Sequence, residues 1–158
     1  MAEIHPDGSA EARFVERIGQ ILESDGLTRI AGRIFGHLLL SSTPQSLEDL
    51  AKALQASKGS ISQDTRLLER LGALERVTHA GDRRVFYQIG DRMMRRMVAL
   101  RLERFEQLRE AMAEGLGAAT DEKVRGRLNE FIDFHDHLLA TMREARDRWC
   151  ARHDESGE

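Results

Sequence analysis

At 158 residues the chain can form one domain with a real core, or a small module with helical extensions, but not two large domains. Charged residues make up 32% against 41% hydrophobic and only 5% aromatic, with two prolines, which argues against an all-β fold and fits helices with solvated faces. A net charge of −3 excludes a polycation that coats nucleic acid or an anionic membrane, so any nucleic-acid surface must be local.

The opening residues, MAEIHPDGSAEARF, lack the basic start and apolar run of a signal peptide. No stretch approaches about 18 uninterrupted apolar residues, the rough minimum for a spanning helix. With Cys150 as the single cysteine no internal disulfide can form, and a cytoplasmic protein is expected. Residues 1–9 read as a disordered lead-in, with Ser9 able to cap the first helix. Residues 10–45 read as N-terminal helices. Phe14, Ile18, Ile21 and Leu22 give the first its apolar stripe, and Ser24, Asp25 and Gly26 stop it. A second helix over residues 27–40 aligns Leu27, Ile30, Ile34 and Leu38 and carries Gly32 and Gly36. Each interior glycine costs roughly 1 kcal/mol relative to alanine, so another helix of the same chain is expected to pass close by.

Residues 41–46 read as a short linker around Pro44. Ser46 caps a third helix, LEDLAKAL, whose Glu48 and Asp49 sit where the helix dipole favours negative charge. A fourth helix covers SKGSISQDTRLLERLG, residues 57–72. Beyond Gly72 the hydropathy period changes from 3.6 to 2: Val77, then Val85, Tyr87 and Ile89, flank Ala80-Gly81-Asp82 as a β-hairpin with a basic tip. Residues 91–152 read as a C-terminal helical dimerisation region, with a disordered tail at 153–158. The stripe Met94, Val98, Leu102, Phe105, Leu108, Met112, Leu116 and a second one through Val124, Leu128, Phe131, Ile132, His135, Leu138, Leu139 and Met142 exceed what one small module can cover. They predict partner helices, most simply those of a second copy.

Residues 46–90 therefore spell helix, short turn, helix, hairpin: a winged helix-turn-helix, whose second helix enters the DNA major groove while the wing reaches the flanking minor groove or phosphates. Leu47, Leu50, Ala51 and Leu54 form the inner face of the first helix, and Ile61, Thr65, Leu68 and Leu71 that of the second. The opposite surface of the second helix is Lys58, Gly59, Ser62, Gln63 and Arg66, with Ser57 at the N-cap. Short hydroxyls allow close approach, Gln63 can pair with adenine edges, and Arg66 can take a guanine edge or a phosphate. Backbone N–H groups at the helix start can hold a phosphate oxygen. At the wing tip Arg83 and Arg84 supply two guanidiniums, one of them braced by Asp82. Asp64 is expected at the edge of the inner face, paired with a basic side chain. The expected fold is thus mainly α, a winged helix-turn-helix with a small β-hairpin wing, plus long N- and C-terminal dimerisation helices.

Three segments in order, GLTRIAGRIFGHLLLS, LEDLAKALQASKGSISQDTRLLERLGALERV and GDRRVFYQI, resemble the MarR superfamily of transcriptional regulators, in particular its GbsR-like branch, over roughly residues 10–118. The resemblance implies a homodimer that presents two winged modules to a pseudo-palindromic operator in double-stranded DNA and is controlled by a small-molecule effector. It assigns Ser57, Lys58, Gly59, Ser60, Ser62, Gln63 and Arg66 to the recognition helix and Arg83 and Arg84 to the wing. The family pattern often has glycine at the position of Gln55, where the backbone tends to positive φ, so Gln55 is a departure that costs roughly 1 kcal/mol if it adopts that conformation.

Other constellations are weaker. His135 and His137 lie two apart on a helix and cannot share one metal ion, and no second cysteine or basic cluster activates Cys150. No nucleophile elbow, phosphate-cradling glycine loop or paired-carboxylate motif occurs, so neither an enzyme nor a cofactor is predicted. An effector pocket between the winged module and the long helices would be lined by Phe35, Leu39, Met94, Met97 and Phe105, which read more readily as core. The competing class is a winged helix that docks protein rather than DNA, favoured by the acidic overall charge. A salt titration on random duplex separates the two.

Overall fold

A computed structural model of the chain describes residues 9–90 and 92–154, so the lead-in before Ser9, the expected helix start at Asp91 and the tail beyond Asp154 lie outside the described residues, while His153 and Asp154, expected in the tail, continue the last helix. The elements run α1 (Ala10–Ser24), α2 (Arg29–Leu40), β1 (Gln45–Ser46), α3 (Leu47–Ala53), α4 (Lys58–Arg70), β2 (Glu75–Val77), β3 (Phe86–Gln88), α5 (Met93–Ala118) and α6 (Glu122–Asp154). They fall into two compact units that divide between Met93 and Met94.

In the first unit each helix starts on a hydroxyl cap. Ser9, Thr28 and Ser57 accept hydrogen bonds from the backbone N–H of Ala12, Ala31 and Ser60, each satisfying a donor that the first helical turn leaves unpaired. Ser46 goes further: its hydroxyl accepts from Asp49 N–H, and the Asp49 carboxylate accepts from Ser46 N–H, a complete capping box. Helix α2 begins at Arg29, two residues after the expected start, because Thr28 takes the cap.

The expected close approach is made by α1. A Cβ placed on Gly32 would stand 2.7 Å from the Cα of Gly19 and 3.0 Å from the carbonyl oxygen of Ile18. Two glycines therefore face one another, and the backbones touch where side chains would hold them apart. Glu16 of α1 reinforces the pair by accepting from Arg29 at 3.0 Å and pairing with Arg33. Helix α2 also packs on α4, and α3 on α4. Ile34, Leu50, Ile61 and Leu68 of these helices are fully buried, as is Leu74 before β2, each contributing on the order of 1.5–3 kcal/mol by leaving water. Leu71, expected on the inner face, is 40% exposed. It is the residue after the last helical one, and Gly72 with φ of +75° turns the chain away beneath it. Gln55 does adopt positive φ, at +50°. Gln55→Gly is expected to raise the unfolding free energy by about 0.5–1 kcal/mol in a denaturant melt, the strain relieved outweighing the added chain entropy.

The sheet has three strands rather than two, in the order β1-β3-β2, all antiparallel. Gln45 and Ser46, read as the end of a linker, pair with Tyr87 and Phe86. That addition makes β3 central, and its adjacent residues Phe86 and Tyr87 are both buried, so both faces of β3 are covered.

The second unit is a helical hairpin. Asp121 accepts from the N–H groups of Lys123 and Val124 to start α6, while Arg125 Nη1 donates to the carbonyls of Leu116 and Ala119 and so satisfies the end of α5. Arg109 pairs with Asp136 and Arg143 with Glu106 across the two helices. Leu102, Ile132 and Leu139 are buried between them, together with His135, whose ring stacks on Phe131 at 4.0 Å with Nδ1 3.0 Å from the Phe131 carbonyl oxygen. Near the α5 start and the α6 end an apolar groove of about 290 Å³ is lined by Met94, Val98, Met142, Trp149 and Cys150 among others. Met94 here, and Leu39 in the first unit, were expected in the core but are exposed.

Candidate nucleic-acid interface

Helix α4 separates into the two faces that its sequence predicts. Ile61, Thr65 and Leu68 point inward, and the Thr65 hydroxyl, fully buried, donates to the Ile61 carbonyl at 2.9 Å, so its burial leaves no unpaired donor. Lys58, Gly59, Gln63 and Arg66 are exposed on the other side, with Ser60 and Ser62 half-buried and Ser57 at the cap. Nothing stands closer than 3.9 Å to a Cβ at Gly59, so that end of the helix offers bare backbone to whatever approaches.

Asp64 is the exception. Expected near the edge with a basic partner, it is only 2% exposed, and no ion pair holds it among the described residues. Its place between Ile61 at i−3 and Leu68 at i+4 puts it squarely on the inward stripe. It therefore presents no negative charge to a groove.

The wing is built around one acidic residue. Gly81, with φ of +85°, turns the chain, and Asp82 N–H donates to the His79 carbonyl at 3.1 Å. The Asp82 carboxylate then accepts from Arg84 N–H at 2.9 Å and from the Arg84 guanidinium, Nε to Oδ1 at 3.1 Å and Nη2 to Oδ2 at 2.7 Å. This is a bidentate pair, the geometry in which a guanidinium is held most firmly. The hydrogen bonds from Arg84 pull the pKa of the Asp82 carboxyl down to about 2. The Arg84 guanidinium also lies 5.0 Å over the Phe86 ring, whose other neighbour is His79, edge-on at 4.9 Å. Arg83 is exposed, and no hydrogen bond or ion pair fixes it among the described residues. The two wing arginines thus differ: Arg84 is positioned and Arg83 is free to move.

Lys58 has a partner that its sequence context does not announce. Its Nζ donates to Glu48 Oε1 at 2.8 Å, linking the first residue of α4 to the first turn of α3. That hydrogen bond, more than the Lys58 charge itself, holds the Glu48 carboxyl below its usual range. Asp49 is likewise lowered, in its case by the Ser46 hydrogen bonds of the capping box. The signal was present in the sequence only as two charges ten residues apart across a turn, a spacing that periodicity rules do not cover.

Among the described residues no group of three or more histidine, cysteine or acidic side chains is placed to hold a metal ion, and no helix is long and apolar enough to cross a membrane. Comparison with known proteins points in one direction. The sequence pattern of the MarR family matches residues 25–85. The chain is 36% identical over 147 residues to the HTH-type transcriptional regulator MmpR5 of Mycobacterium tuberculosis, covering 88% of this chain and 86% of that one. It is 23% identical over 148 residues to the HTH-type transcriptional repressor OpcR of Bacillus subtilis, covering 82% and 80%. A crystal structure described as a transcriptional regulator superposes with a TM-score of 0.82 at 34% identity, covering 90% of this chain and 99% of that one.

Proposed function

The chain belongs to the MarR family of transcriptional regulators, and from that premise we propose that it works in the cytoplasm as a homodimer on a pseudo-palindromic operator, in the GbsR-like branch of the family. In this reading α4 enters the major groove, with Gln63 and Arg66 at base edges and Ser57, Lys58, Gly59, Ser60 and Ser62 along the phosphates, while Arg83 and Arg84 reach the flanking groove. The observation that carries it is the make-up of the exposed α4 face: short polar side chains, bare backbone at Gly59 and one long cation at Arg66, on a helix whose other face is fully committed to the core. The order of the three segments that resemble the family supports the branch.

Dimerisation through residues 91–152 is supported by large apolar side chains left in water on the second unit. Phe134 is 61% exposed, and Leu100, Leu108 and Trp149 are also exposed, apolar surface available to the helices of a second copy. The family resemblance adds control by a small-molecule effector.

The test begins with an operator selected from random duplex. Arg66→Ala is expected to weaken operator binding by about 1–3 kcal/mol and to relax preference at one base position, read by fluorescence anisotropy on the operator and its single-base variants. Operator affinity and preference both unchanged in Arg66→Ala would overturn the placement of α4 in the groove.

A further inference from the structure

Two cations of the proposed interface already hold acidic partners, but the two pairs are built differently. Asp82 grips Arg84 through two guanidinium nitrogens and the backbone N–H, and so orders the wing. Glu48 holds Lys58 by a single hydrogen bond at the tip of a flexible side chain, with the two side chains 53% and 67% exposed. Neither helix cap depends on that bond. The neighbouring acid, Asp49, already completes the capping box of α3, and Ser57 caps α4 without help from either residue.

A phosphate oxygen arriving at the start of α4 would compete with Glu48 for the same ammonium and be repelled by the carboxylate it displaces. Resting on the DNA-binding reading above, we infer that Glu48 is a specificity-determining residue. It holds Lys58 away from phosphate on arbitrary sequence and yields it only where base contacts by the rest of α4 compensate. The effect falls on non-specific binding, because phosphate contacts supply essentially all of that binding and only part of the specific kind.

The experiment is a double-mutant cycle on a random-sequence duplex, with affinity followed as salt is varied and folding checked by circular dichroism. Glu48→Gln keeps the shape and removes the charge. It is expected to bind random duplex about three- to tenfold more tightly at ~0.1 M salt and to steepen the plot of log affinity against log salt by about 0.9 per module, one further phosphate contact. The ratio of operator to random affinity should fall accordingly. The decisive comparison is Glu48→Gln made in the Lys58→Gln background, where the gain is expected to vanish. If the gain persists there, Glu48 acts as general negative charge and the inference is overturned. It is equally overturned if Glu48→Gln and the parent chain share one salt slope. A parent chain with no salt-dependent affinity for any duplex would instead sink the DNA-binding reading itself.

Discussion

Gly32→Ala is expected to lower the unfolding free energy by on the order of 2 kcal/mol, although the same exchange in an open helix gains about 1 kcal/mol. Alanine is the better helix former, and by propensity alone the change stabilises α2. The new methyl group, however, would stand 2.7 Å from the Gly19 Cα and 3.0 Å from the Ile18 carbonyl oxygen. Both are backbone atoms, so no rotamer change relieves the overlap and α1 must move away from α2, which costs more than the propensity returns. In a unit of this size the thermal midpoint should drop by roughly 10 °C. Gly126→Ala, in α6 with nothing within 4 Å of the new Cβ, serves as the control and is expected to gain about 0.5–1 kcal/mol. A Gly32→Ala protein that melts at or above the parent would show that α1 and α2 are not in backbone contact.

That contact also marks how far the sequence can be read. Gly32 and Gly36 are legible because glycine inside a helical pattern demands a reason. Their counterpart Gly19 carries the same signal inside the first helical pattern, but the apolar stripe beside it points to other residues. The apolar stripe of the first helix accordingly predicts burial of Phe14, Ile18, Ile21 and Leu22, whereas the buried residues are Val15 and Gly19, and Phe14 and Ile21 stand exposed. The stripe is real, but close packing centres on the small residues beside it. The same limit hides β1: two residues are too few to show a period of two, and Ser46 is fully explained as a cap although it is also a strand residue. On α4 the inward Ile61, Thr65 and Leu68 and the outward Lys58, Gly59, Gln63 and Arg66 follow from spacing alone, as does a brace by Asp82 on one wing arginine, which the fold makes Arg84. Asp64 departs from expectation because its chemistry suggests an edge, when its position relative to Ile61 and Leu68 already places it inside. The pair formed by Glu48 and Lys58 joins two helices across a turn, and only the crossing of α3 and α4 brings it together.

Replacing both wing arginines by alanine is expected to cost on the order of fifty-fold in duplex affinity per winged module at ~0.1 M salt and to flatten the salt dependence by about 1.8, with operator and random duplex affected alike. The single substitutions divide that loss unequally in kind. Arg83 is unconstrained and contributes charge, so Arg83→Ala should lower the slope by about 0.9 and little else. Arg84 contributes charge and position, because Asp82 fixes both its backbone N–H and its guanidinium before any DNA arrives. Asp82→Asn separates the two contributions. Both cations remain, so the slope stays as it is, but a freed Arg84 must be ordered on binding, which weakens affinity by about three- to tenfold. With a carboxyl pKa of about 2 in the folded chain, below the roughly 3.9 of an unfolded aspartate, the clamp is fully present above about pH 4 and is lost only as pH falls through about 2. The difference between the parent chain and Asp82→Asn should therefore be constant from about pH 5 to about pH 8. If Asp82→Asn instead tightens binding, the aspartate acts as repulsive charge, as inferred for Glu48, and the hydrogen bonds it accepts from Arg84 are not what prepares the wing.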